Sequence, residues 1–105
     1  MVSRGDIMEY AHKVADRFHP DRIILFGSYA EGNASEDSDV DLLVEMNHVS
    51  SSLQQALAIR KAVKRTFPLD LVVKSPQEIQ QRLRQNDFFM KTIVDHGQVL
   101  YERAG

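Results

Sequence analysis

The sequence predicts an α/β domain, because short apolar runs rich in β-branched residues alternate with segments whose apolar residues recur every three or four positions. Residues 22–26, 39–44 and 69–73 form the apolar runs, and Pro20, Gly27, Pro68 and an acidic loop punctuate them. At 105 residues the chain is expected to be one domain, 1–105, with a single sheet-and-helix core and little room for a separate acceptor-binding domain.

The first helix is carried by Ile7, Ala11, Val14, Ala15 and Phe18, which share one face, and it stops near His19-Pro20. Arg22-Ile-Ile-Leu-Phe26 follows as a mostly continuous apolar run, the pattern of a strand covered on both faces, and it ends at Gly27. Residues 29–38 are small, polar and acidic, with Gly32-Asn33 marking a turn after at most one helical turn. A second strand begins at Asp39, with Asp39, Asp41 and Leu43 on one face and Val40, Leu42 and Val44 on the other. Ser50 to Ser52 offer caps for a helix of roughly four turns that turns Leu53, Ala56, Leu57 and Val63 inward and closes at Phe67-Pro68. Leu69-Asp-Leu-Val-Val73 is the third strand, and Ser75-Pro-Gln-Glu78 is a capping box with proline at the first helical position. Asn86 is expected to cap a last helix through Phe88, Phe89, Ile93 and Val94 that ends at Gly97, before an edge strand at 99–101.

Composition narrows the function classes. Thirteen Lys plus Arg against 15 Asp plus Glu give no excess of positive charge for bulk nucleic-acid binding. There is no cysteine, so disulfides and thiolate metal sites are absent, as suits a reducing compartment. Without an N-terminal apolar run or a membrane-length stretch, the expectation is a cytoplasmic protein with no membrane contact, and self-association is left open. His12, His19, His48 and His96 show no ligand spacing. Arg60, Lys61, Lys64 and Arg65 read as the solvated face of their helix, and Phe88 and Phe89 as core or interface residues.

The informative constellation is Gly27-Ser28 directly after a buried strand, followed ten residues later by Asp39-Val40-Asp41 at the head of the next. A glycine lets phosphate approach the backbone, while the serine hydroxyl and the amides of the following turn can donate to phosphate oxygens. Two carboxylates two residues apart on a strand point the same way, about 6.6 Å apart along the backbone at roughly 3.3 Å per residue. Magnesium favours such hard oxygen ligands together with substrate phosphates and water. Asp70 places a third acid in an otherwise apolar strand, where it could bind a second ion or take a proton from an attacking hydroxyl. Alone, Gly-Ser is an ordinary turn, Asp-x-Asp a solvated strand edge and Asp70 a water-facing strand residue. Together they point to nucleotidyl transfer.

Residues 25–32, Leu-Phe-Gly-Ser-Tyr-Ala-Glu-Gly, with 37–42, Asp-Ser-Asp-Val-Asp-Leu, resemble the signature of the DNA polymerase β-like nucleotidyltransferase superfamily, and its minimal members, the MNT proteins, above all. The resemblance implies a mixed sheet of about four strands with helices packed mainly on one face. It implies that Gly27 and Ser28 bind ATP, and that Asp39, Asp41 and Asp70 are catalytic and hold two Mg2+ ions. MNT proteins are commonly antitoxins paired with a HEPN-domain toxin, and some transfer AMP to a tyrosine of it. The expected function is therefore AMP transfer to a partner toxin, with a contact-only antitoxin and a transferase of small hydroxylated molecules as alternatives. Many relatives have Arg before the loop glycine where this chain has Glu31, a carboxylate that would repel a triphosphate unless it faces solvent.

Overall fold

The computed structural model describes residues 1–104. In chain order it contains α1 (Arg4–Phe18), β1 (Arg22–Phe26), α2 (Ser28–Glu31), β2 (Val40–Glu45), α3 (Ser52–Ala62), β3 (Leu69–Lys74), α4 (Pro76–Arg84), α5 (Phe88–His96) and β4 (Gln98–Glu102). The sheet order is β3-β2-β1-β4, with β2 and β3 parallel and the other pairs antiparallel, so the sheet is mixed and four-stranded as expected.

Strand parity divides the core. Ile23, Leu25, Val40, Leu42, Val44, Leu71 and Val73 face the larger layer, where α1 and α3 bury Ile7, Tyr10, Ala11, Val14, Ala56 and Ile59. Ile24, Phe26 and Leu43 face the opposite side, which α4 and α5 cover in part with Ile79, Met90 and Ile93. The longer helices α1 and α3 thus cover one face and the shorter α4 and α5 the other, where the smaller cover leaves the exposed Asp70 end of the β2–β3 pair open. Among the described residues no helix is long and apolar enough to cross a membrane.

Local chemistry sets the ends. Ser3 accepts from the Asp6 amide to start α1, which His19 ends in the left-handed region at φ 51°. The capping box of α4 forms as read, Ser75 and Glu78 each accepting from the other's amide. Arg22 sits opposite Glu45 on the neighbouring strand and donates to it, so the buried Glu45 carboxylate is paired.

Three expectations are corrected. Helix α3 stops at Ala62 rather than reaching Phe67-Pro68, because an extended Val63 (φ −121°, ψ 103°) lets both Val63 and Phe67 return to the core. Phe67 then meets Tyr10 edge-on, with ring centroids 5.8 Å apart. The buried stripe of α3 is Ala56 and Ile59, continued by Val63, while Leu53 and Leu57 are 69% and 46% exposed. Asp87, not Asn86, caps α5 by accepting from the Met90 amide, and Asn86 takes the left-handed turn at φ 59°.

Glu78 also joins α4 to the loop before α3. His48 lies 2.7 Å from it through Nε2 and 2.6 Å from the Ser50 carbonyl through Nδ1. The Ser75 amide, and then His48, hold the Glu78 carboxyl down at about 2, and Glu78, then the Ser50 carbonyl, push His48 up. The Glu78 contribution is present above its ordinary 4.5 and is lost as pH falls through about 2. The His48 contribution is full below its ordinary 6.5 and is lost as pH rises through the raised value. Replacing His48 by Gln should therefore lower the melting temperature near pH 5.5 and have little effect near pH 9. With Glu78 36% exposed, the loss should stay below about 1 kcal/mol. An equal loss at both pH values, measured by thermal melting, would assign the effect to packing instead.

Candidate functional site

The sheet register brings the signature residues to one corner. Asp41 is paired with Phe26 on β1 and with Asp70 on β3, so Gly27, one residue beyond Phe26, lies beside it. Gly27 has φ 73° and ψ −155°, a conformation essentially confined to glycine. A Cβ on it would stand 2.2 Å from Oδ2 of Asp41. The missing side chain is therefore what allows that carboxylate to sit against the backbone of the turn.

Ser28 opens α2, a single turn whose Ala30 and Glu31 amides donate to the Gly27 carbonyl at 3.0 and 3.1 Å. The Ser28 and Tyr29 amides head that turn, where no earlier helical carbonyl can reach them. Gly32 ends it at φ 82°. Glu31 is exposed, so its carboxylate has the solvent-facing position that avoids repulsion. In the loop that follows, the Ser38 hydroxyl accepts from the Ser35 amide at 2.9 Å and closes the turn.

Asp39 is exposed immediately before β2, and Asp70, second residue of β3, is also exposed. Asp41 is half-buried between them. Burial first, then the Asp70 and Asp39 carboxylates, push its carboxyl up to about 6. Sequence reading had not anticipated Phe26 as part of this corner. Directly opposite Asp41, it is buried and meets Phe89 of α5 edge-on at 5.6 Å, forming an apolar wall beside the carboxyl. The parity of β1 was the available signal, since Phe26 precedes the loop glycine.

Among the described residues no three ligating side chains converge on one point as a ready-made metal cage. The donor set nevertheless fits a hard cation that keeps water and phosphate ligands, because burial and the neighbouring Asp70 and Asp39 carboxylates push the Asp41 carboxyl up and a cation would reverse that. The corner is an open shelf. A hollow of about 370 Å3 lies between Lys13 and Arg17 of α1 and Val63-Lys64, in the other layer and away from the site carboxylates. Nearer the site is a hollow of about 280 Å3 bounded in part by Tyr29, Ser38 and Pro68.

The nucleotidyltransferase domain family matches residues 7–100. A Methanocaldococcus jannaschii protein provisionally named a protein adenylyltransferase is 31% identical over 80 residues, covering 76% of this chain and 77% of its own. Protein adenylyltransferase MntA of Thermococcus cleftensis is 41% identical over 69 residues, covering 62% of this chain and 69% of its own. The fold is similar to that of a Sulfolobus solfataricus protein provisionally assigned as a nucleotidyltransferase, with TM-score 0.66 and 18% identity over 94% of this chain and 79% of that one. It is also similar to a chain of a toxin-antitoxin crystal structure with AMP-PNP, with TM-score 0.57 and 22% identity over 91% of this chain and 73% of that one.

Proposed function

This chain belongs to the nucleotidyltransferase domain family as a minimal member, and from that premise we propose that it transfers AMP from ATP to a hydroxyl of a partner protein. The partner in this reading is the toxin of a toxin-antitoxin pair, a HEPN-domain protein modified on a tyrosine, and the pair acts in the cytoplasm, where ATP is available. The single observation that carries the reading is the corner itself: a left-handed Gly27 packed against Asp41, with Asp70 in register across the next strand. The names of the adenylyltransferase relatives and the toxin-antitoxin neighbour with AMP-PNP support the donor and the partner class.

In the proposed chemistry the backbone at Gly27 and the Ser28 hydroxyl hold the triphosphate, and α2 aims its first amides at phosphate oxygens. Asp39, Asp41 and Asp70 would hold Mg2+, which supplies charge neutralisation on the phosphates and activation of the acceptor hydroxyl when bound. The acceptor oxygen bonds to the α-phosphorus as the bond from that phosphorus to pyrophosphate breaks. Asp70, the most exposed of the carboxylates on β2 and β3, takes the acceptor proton and passes it to water. Adenylylation of the toxin accounts for its neutralisation.

Incubating the protein with labelled ATP, Mg2+ and the product of the neighbouring reading frame tests this. Label should appear on the partner with the wild type and be absent with the double variant Asp39→Ala plus Asp41→Ala. No transfer by the wild type, together with full neutralisation by the double variant, would replace the enzyme with a contact-only antitoxin.

A further inference from the structure

Strand β3 is the outermost strand on the side of the site. The Val40 amide donates to the Pro68 carbonyl and the Met46 amide to the Lys74 carbonyl, so the even-numbered residues of this stretch turn their backbone groups toward β2. Leu69, Leu71 and Val73 consequently turn theirs outward. Arg60 closes off the Leu69 carbonyl from 2.8 Å. Among the described residues the outward amides and carbonyls of Leu71 and Val73 have no hydrogen-bond partner.

Proteins usually blunt such an edge with proline, charge or a covering element. Here charge sits at the two ends of the strand, Asp70 and Lys74, and between them the edge borders a hollow of about 160 Å3 lined by Leu53, Ala56, Leu71, Val73 and Lys74 among others. Leu53 and Leu57 extend the apolar surface along α3, 69% and 46% exposed. The same strand carries Asp70 at its head.

We propose that this edge holds the acceptor protein by β-addition, with an extended segment pairing along Leu71 and Val73 and presenting its hydroxyl to Asp70. The inference rests on the transferase reading and specifies how that acceptor is recognised. Unpaired backbone groups select an extended backbone over a helix, and the hollow beside Leu53 takes one apolar side chain. Side chains alternate along a strand, and the hollow opens on the opposite sheet face from Asp70. The apolar anchor and the hydroxyl residue must therefore be an odd number of positions apart. The level of Asp70 lies one to three residues from Leu71 and Val73, at most about 10 Å, so the spacing is one or three.

Two variants replace none of the proposed triphosphate and metal groups. Leu53→Lys puts a charge at an exposed position beside the hollow, and Leu71→Pro removes one outward amide without breaking the ladder to β2. With the neighbouring-frame protein as acceptor, KM for the acceptor should rise roughly tenfold or more in Leu53→Lys while KM for ATP stays unchanged. Leu71→Pro should behave alike if thermal melting shows it folded, and Leu53→Lys decides alone if it is not. Mass spectrometry should place the modified residue one or three positions from an apolar residue whose replacement by Asp also raises KM. Wild-type kinetics in Leu53→Lys would overturn the inference and leave the transferase reading intact. No transfer by the wild type would overturn that reading instead, and calorimetric titration of the acceptor would still judge the edge: unchanged affinity in Leu53→Lys overturns β-addition, and a loss supports it. Self-association abolished by Leu53→Lys, with acceptor binding unaffected, would give the edge to a second copy and overturn the proposal.

Discussion

Replacing Asp41 by Asn is expected to abolish transfer and at the same time make the ligand-free protein harder to melt. The two effects have one cause. Asp41 is half-buried beside Phe26 and faces the carboxylates of Asp70 and Asp39, which together with burial push its carboxyl up to about 6. A carboxyl whose folded value is raised destabilises the fold once it ionises. The penalty is absent below the ordinary 3.8, grows through about 6 and is full at neutral pH. Asn keeps the volume and removes the charge, so in chelator at neutral pH it should stabilise by on the order of 1–2 kcal/mol once solvent screening at this half-buried site is allowed for. That corresponds to a rise of roughly 5–10 °C in a domain of this size, and the gain should shrink toward pH 4. Mg2+ should raise the melting temperature of the wild type more than that of the variant. Transfer should fall by about a thousandfold or more, the scale expected when a group that organises transition-state charge is removed. Calorimetry in chelator and a labelled-AMP assay measure both effects. A variant that melts below the wild type would defeat the repulsion account, and a variant that still transfers at the wild-type rate would remove Asp41 from the site.

What could be read from the sequence follows the range of the interactions involved. The strand at 22–26, the alternation of Asp41 and Leu43 against Val40, Leu42 and Val44, and the Ser75–Glu78 capping box are local patterns, and the structure reproduces them, with the second strand starting at Val40 rather than Asp39. The outward turn of Leu53 and Leu57 is not local. Helix α3 lies over the outermost strand, and no sheet extends under its far flank to receive them. Asn86 and Asp87 are both residue types suited to a cap. The left-handed turn after α4 takes the first, which leaves the second to cap α5. The same distinction holds at the site. The spacing from Gly27-Ser28 to Asp39 and Asp41 is visible in one dimension, whereas the pairing of Asp41 with Asp70 and the apolar wall of Phe26 and Phe89 depend on register and on docking of α5.

Gly27→Ala should separate the site from the fold. The φ 73°, ψ −155° backbone costs a side-chain-bearing residue about 1–3 kcal/mol, and the new Cβ would meet Oδ2 of Asp41 at 2.2 Å. That atom is the end of a short rotatable side chain rather than backbone, so the cheaper response is for the carboxylate to swing away. The protein should therefore fold, with a melting temperature lower by roughly 5–15 °C. Transfer should fall by about a hundredfold or more, because a carboxylate misplaced by about an ångström is enough for such a loss. Gly32→Ala is the control: its φ is 82°, so the backbone also resists alanine, but nothing lies within 4 Å of the added Cβ. It should cost stability while leaving most of the transfer. Equal losses of activity in both variants would assign the effect to strain in α2 instead of to Asp41. In the Gly27→Ala, Asp41→Asn double variant, the alanine should remove little further activity, since both changes act on the same carboxylate and neighbours in contact are not additive. Full additivity would mean that Gly27 acts on the nucleotide independently of Asp41.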